Sequence, residues 1–162
     1  ELKNQTKALE LLNKIVAINP QNTNAKEAIA AIQEGELAQN LEKAIEQYEK
    51  KDFNTSLSLL NKVLAQEPKN TYALYYKGLI FEEQKNQKDA NEQFKLAINS
   101  DPNFALGYYS YALGLDNLEK YQEAVTNYDK FLELKLKENA QDEYTKFAKE
   151  RVAQLREFLN KK

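Results

Sequence analysis

The chain contains no cysteine, no histidine, no methionine and no tryptophan, and only four glycines and three prolines in 162 residues. Without cysteine there is no disulfide framework and no thiolate nucleophile. Without histidine, both the usual zinc ligand and the commonest general base are missing. An enzyme built on those groups is excluded, and no cofactor or metal site is expected. Long apolar runs are also lacking. Stretches such as Leu11-Leu12 and Ile15-Val16-Ala17-Ile18 are interrupted and fall far below the roughly 20 residues that span a bilayer. No secretory signal pattern is visible, and membrane insertion is not expected. A chain that begins at Glu1 and carries no methionine reads as a piece of a longer protein.

An excess of either charge is missing too. Lys and Arg number 23 against 25 Asp and Glu, leaving a net charge of −2 and a pI near 5.4. A nucleic-acid binder would gather its cations on one face to neutralise phosphates. Here Glu and Lys alternate as on a solvated helical surface, so nucleic acid is not an expected partner. What the chain does have is Leu, Ala, Lys, Glu, Gln and Asn in abundance, the composition of an all-α protein.

Short patterns that suggest chemistry do not hold up. Glu82-Glu83 and Asp142-Glu143 are adjacent carboxylates, which diverge by about 100° around a helix and cannot face one another across a substrate. Gly107 and Gly114 lie inside a helical pattern and not between a strand and a helix, so they form no phosphate loop. No catalytic residues are assigned.

The prolines carry the organising signal. Pro68 and Pro102 stand 34 residues apart, each after a helical pattern that it would end. Sliding the chain by 34 superposes Ser56, Ala90 and Ala124; Leu60, Phe94 and Tyr128; Val63, Ala97 and Phe131; and Leu64, Ile98 and Leu132. It also pairs Leu74 with Tyr108, Gly78 with Ala112, and Phe81 with Leu115. Small residues match small and large match large, so a structural unit is repeated. Within each unit the apolar residues recur at three and four, and a polar loop such as 83–87 divides two such helices. The unit is a helical hairpin in which Gly78 against Ala90, and Ala112 against Ala124, let the two helices approach closely.

The combination in 71–104 of Leu74, Gly78, Phe81, Ala90, Phe94, Ala97 and Pro102 resembles the tetratricopeptide repeat. Residues 105–138 match it with Tyr108, Ala112, Leu115, Tyr121, Ala124 and Tyr128, and place Leu136 where the proline would stand. The resemblance implies an all-α, right-handed solenoid of helix-turn-helix hairpins. Residues 1–20, with Ala8, Leu12, Ile15 and Pro20, read as the second helix of a truncated repeat. Residues 24–51 read as one long helix on the seam Ala28, Ile32, Gly35, Ala38, Leu41, Ile45 and Tyr48, with a break at Gly35 as the alternative, leading into the repeat that ends at 70. In that repeat Leu41, Ala44, Ile45 and Tyr48 run one place late and leave Asn40, Lys43 and Gln47 where core residues belong. This predicts either a shorter turn or an outward roll of the helix. Residues 140–161, with Tyr144, Phe147, Val152, Leu155, Phe158 and Leu159 on one face, are expected to cap the stack.

Six of the ten tyrosines fall in two clusters, YALYYKG at 72–78 and GYYSYA at 107–112. Periodicity places Tyr108 and Tyr111 on the packing stripe and leaves Tyr72, Tyr75, Tyr76 and Tyr109 off it. In the family resembled, these off-stripe positions, with Leu106, Leu79 and Leu113, face an inner concave surface where peptides bind. One subclass grips the C-terminal carboxylate of chaperones there with Lys, Asn and Arg. Here the matching places hold Tyr75, Leu79, Tyr109 and Leu113, so that clamp is absent. The next turn adds Glu82, Glu83 and Asp116, an acidic edge suited to a partner segment with aliphatic anchors and flanking Lys or Arg. The resemblance thus implies a non-catalytic scaffold that binds a protein or peptide partner. Self-assembly into a homo-oligomer, or docking in a larger machine, through the upstream or C-terminal helices is the alternative.

Overall fold

The computed structural model describes residues 2–137 and 142–161. Residues 1, 138–141 and 162 lie outside the described residues, and with them the first residue of the 1–20 segment, the last of 105–138 and the first two of 140–161. Among the described residues there are eight helices and no strand: α1 Leu2–Ile18, α2 Thr23–Glu49, α3 Phe53–Gln66, α4 Thr71–Glu83, α5 Gln87–Ser100, α6 Ala105–Asn117, α7 Tyr121–Lys137 and α8 Glu143–Asn160. Each helix packs chiefly on its neighbours in sequence, and contacts within the hairpins α2–α3, α4–α5 and α6–α7 are denser than those between them. The fold is a solenoid of helical hairpins.

The helix boundaries follow from local chemistry. Asn22, Asp52, Asn70, Asn86 and Asp142 each accept, through the side chain, a backbone N–H of the first turn of the helix they precede, which satisfies a donor left orphaned at a helix start. Pro20, Pro68 and Pro102 each stand two residues past a helix end. Within each hairpin the turn repeats atom for atom. Lys51, Lys85 and Glu119, spaced by 34, all take φ near +60°. Their N–H groups donate to Tyr48, Glu82 and Asp116 at 2.8–2.9 Å, and the next N–H in each case reaches Gln47, Phe81 or Leu115. This left-handed closure of a helix end is usually given to glycine.

The first full hairpin therefore has a turn of the same length as the others, and the shorter-turn reading is wrong. Ala44 is fully buried and in register with Gly78 and Ala112. Ser56, standing where the later hairpins have Ala90 and Ala124, is also fully buried and donates its hydroxyl to the Ala44 carbonyl at 2.7 Å. A buried hydroxyl is thereby satisfied at the closest point of the two helices.

The long helix α2 runs unbroken through Gly35, where an added Cβ would meet nothing. Its apolar seam differs from the expected one. Ala25 and Ala44 are the buried residues, Leu37, Leu41 and Tyr48 pack on the core of the first hairpin, and Gly35 and Ala38 are exposed. The helix packs on α1 as well as on α3 and α4, and one straight stripe need not serve all three partners. Helix α1 packs chiefly on α2, and its Leu11, Ile15 and Ile18 stay exposed.

The core of the later hairpins contains the matched residues. Ala90, Phe94, Ala97, Ala112, Ala124, Tyr128 and Phe131 are all fully buried. Helix α8 seals the end of the stack through Ala148, Val152 and Leu155 against the α6–α7 core, while Tyr144, Phe147 and Phe158 sit on its exposed flanks.

Candidate functional site

The face built from α2, α4, α6 and α8 collects the off-stripe residues. In register across three hairpins lie Leu41, Tyr75 and Tyr109; then Ile45, Leu79 and Leu113; then Tyr48, Glu82 and Asp116; then Glu49, Glu83 and Asn117. The first two rows and Tyr48 are half-buried, whereas Glu49, Glu83 and Asn117 are exposed. The residues of α2 that seemed a core run displaced by one place, Leu41, Ile45 and Tyr48, are the inner-face members of their hairpin. The same 34-residue shift that revealed the core would have found them.

Aromatic rings tie the alternate helices together. Tyr48 meets Tyr76 edge to face at 5.4 Å, and Tyr76 meets Tyr75 at 5.8 Å. Tyr75 meets Phe104 at 5.0 Å and Phe94 at 5.8 Å. Tyr109 contacts Phe131 at 5.2 Å, Tyr144 at 5.0 Å, Tyr128 at 6.1 Å and Phe147 at 6.2 Å. Offset and edge-to-face pairs at these separations are favourable. Phe104 occupies the position before α6 that a capping side chain would hold, and makes no cap hydrogen bond. Its ring instead packs on Tyr72 and Tyr75 and beside Gly107, where a Cβ would come within 2.7 Å of it.

Two expectations need correction. Tyr109 is not free: like Tyr108 and Tyr111 it packs against the α6–α7–α8 core, because α8 brings two rings over it. Asp116 is not part of an open acidic edge. It is only 8% exposed, and Arg151 of α8 grips both its oxygens, Nε donating to Oδ2 at 2.6 Å and Nη2 to Oδ1 at 2.8 Å. Such a bidentate pair is the strong form of a charge-assisted hydrogen bond, and it holds α8 to α6. Of the remaining assigned residues, Tyr72 at 55% and Leu106 at 38% are exposed at the α4 and α6 N-termini. Tyr75, Tyr76, Leu79 and Glu82 are half-buried, and Glu83 is exposed.

The electrostatics follow burial. Desolvation first, with Glu83 and then Glu82 adding to it, pushes the Tyr48 phenol up; for Tyr76 it is desolvation and then Glu49. Tyr75 and Tyr109 are raised chiefly by burial, which the neighbouring Ser110 hydroxyl partly offsets at Tyr75. Burial and the neighbouring Glu83 raise the Glu82 carboxyl. The phenols therefore remain hydrogen-bond donors at neutral pH. No group of acidic side chains suited to a metal occurs among the described residues, and no described helix is long and apolar enough to cross a membrane.

A sequence profile of the tetratricopeptide repeat family matches residues 72–103. No curated protein matches the chain in sequence. Solved structures match it in fold. The tetratricopeptide domain of Sgt2 from Aspergillus fumigatus is similar at a TM-score of 0.68 with 19% identity, covering 78% of this chain and 83% of that one. The first such domain of Spaghetti, bound to the HSP90 peptide SRMEEVD, gives 0.67 with 16% identity over 78% and 94%. The TPR2B domain of yeast Sti1, in complex with an Hsp70 peptide, gives 0.66 with 14% identity over 74% and 97%. Residues 72–103 thus carry a tetratricopeptide repeat, and the chain as a whole has the fold of tetratricopeptide domains.

Proposed function

We propose that the chain is a non-catalytic protein–protein interaction scaffold that holds an extended or helical segment of a partner protein on the face formed by α2, α4, α6 and α8. The reading rests on the row Ile45, Leu79 and Leu113, apolar residues that repeat across three hairpins and stay partly open to solvent. A contiguous apolar strip flanked by rings is the anatomy of a docking surface. Solved relatives in fold carry chaperone peptides, which agrees with use of this fold for peptide capture.

Random linear peptides displayed on phage and selected on the whole chain test it. Selected peptides are expected to bind the paired variant Leu79→Asp/Leu113→Asp at least about tenfold more weakly, since a charge placed in each apolar contact must be desolvated on binding. The variant's melting temperature reports whether the fold is intact. Undiminished binding would place the peptide elsewhere and end this reading.

A second reading has its own observation. Leu11, Ile15 and Ile18 form an exposed stripe along α1, and an uncovered stripe of this kind favours association. Light scattering across a concentration series decides it: a mass that rises with concentration, and is flattened by Ile15→Lys, supports self-assembly, and a constant monomer mass removes it.

A further inference from the structure

The charge on the inner face is confined to one end. Glu49, Glu82 and Glu83, on α2 and α4, form no ion pair among the described residues. On α6 the equivalent positions are Asp116, closed off by Arg151, and the neutral Asn117. Beside the open carboxylates stand Tyr48 and Tyr76, whose half-buried rings meet edge to face. Lys77, the lysine of α4, bonds Asn61 of α3 and does not neutralise them. The opposite end carries Tyr109, Leu113, Tyr144 and Phe147, and its carboxylate is already paired.

We infer that the partner segment is polarised, with a Lys- or Arg-bearing end against Tyr48, Tyr76, Glu49, Glu82 and Glu83, and an aromatic or aliphatic end against Leu113, Tyr109, Tyr144 and Phe147. This rests on the reading of the inner face as a peptide site and adds the chemistry and direction of what it takes. A cation is drawn both by the carboxylates and by the ring faces. An anionic tail is refused, because no cation replaces the groups that would hold it and three uncompensated carboxylates repel it.

Random linear peptides displayed on phage and selected on the chain at low salt supply the probe. Selected sequences are expected to gather Lys or Arg at one end and Leu, Phe or Tyr at the other. Resynthesised with a photocrosslinker at the cationic end they label α2 and α4, and with it at the apolar end α6 and α8. The triple variant Glu49→Gln/Glu82→Gln/Glu83→Gln weakens binding by about tenfold, the product of three rim charges, and abolishes most of the salt dependence. A peptide with its cations replaced by Gln does not distinguish variant from parent. Selection of acidic or uncharged sequences, crosslinking in both directions, or indifference to the triple variant overturns the inference; if Leu79→Asp/Leu113→Asp still abolishes binding, the peptide site itself stands. No enrichment at all, beside a peptide-binding control domain that enriches, overturns both.

Discussion

Phe94→Ala is expected to cost about 3–5 kcal/mol, the range for deleting a buried aromatic ring, measured by chemical denaturation. The ring is fully buried in α5 and contacts Tyr75 at 5.8 Å. It also fills the notch left by Gly78, where an ideal Cβ would stand 2.5 Å from a ring carbon. Deleting the ring leaves a cavity lined by backbone, which cannot collapse far without moving α4. The reciprocal change, Gly78→Ala, gains up to about 1 kcal/mol in helix propensity yet forces the ring aside, at about 1–3 kcal/mol. The clash should win. Pairing it with Phe94→Leu should return part of the loss, so the two changes are non-additive. A neutral Gly78→Ala would show that the ring relocates freely and that the notch does not set the distance between the helices.

Tyr109→Ala is expected to cost about 2–4 kcal/mol, whereas Tyr72→Ala should stay within about 0.5–1 kcal/mol. Tyr109 lies against four rings on α7 and α8; among the described residues Tyr72 pairs with one ring, that of Phe104, and is more than half exposed. Amide exchange should show the loss concentrated in α8, whose Tyr144 and Phe147 would lose their support, and Tyr109→Phe should be nearly silent. Equal small losses at both positions would mean that Tyr109 belongs to the ligand surface only. Periodicity leads to the opposite expectation, since it leaves Tyr109 off the packing stripe together with Tyr72.

That reversal shows where the sequence was readable. The hairpin contact was legible where each partner is constrained in size: Gly78 and Ala90, and Ala112 and Ala124, sit at the closest approach of two helices, and the 34-residue spacing repeats that constraint; in the first hairpin Ala44 was read with the displaced run, and its contact with Ser56 was missed. The turns were not legible, since Lys51, Lys85 and Glu119 adopt a left-handed conformation without being glycine. Tyr109 and Asp116 were misjudged for one reason. Their partners Tyr144, Phe147 and Arg151 come from α8, an element without an established equivalent in the repeat, so periodicity is silent about what it covers. Phe104 was equally hidden, because a ring in the place of a helix cap gives no sign of the two tyrosines that it meets.

The uneven density of packing, tight inside each hairpin and thinner between hairpins, has a mechanical consequence. The molecule is a row of stiff plates joined by compliant seams, and its softest deformation is a change of curvature. A segment lying along the rows Leu41–Tyr75–Tyr109 and Ile45–Leu79–Leu113 would cross every seam between the three plates and act as a tie rod. Its binding should narrow the spread of label-to-label distances between α3 and α7 while leaving those inside one hairpin unchanged, a difference that spin-label distance distributions can resolve. The same compliance would let the surface adjust its bend to a bound segment.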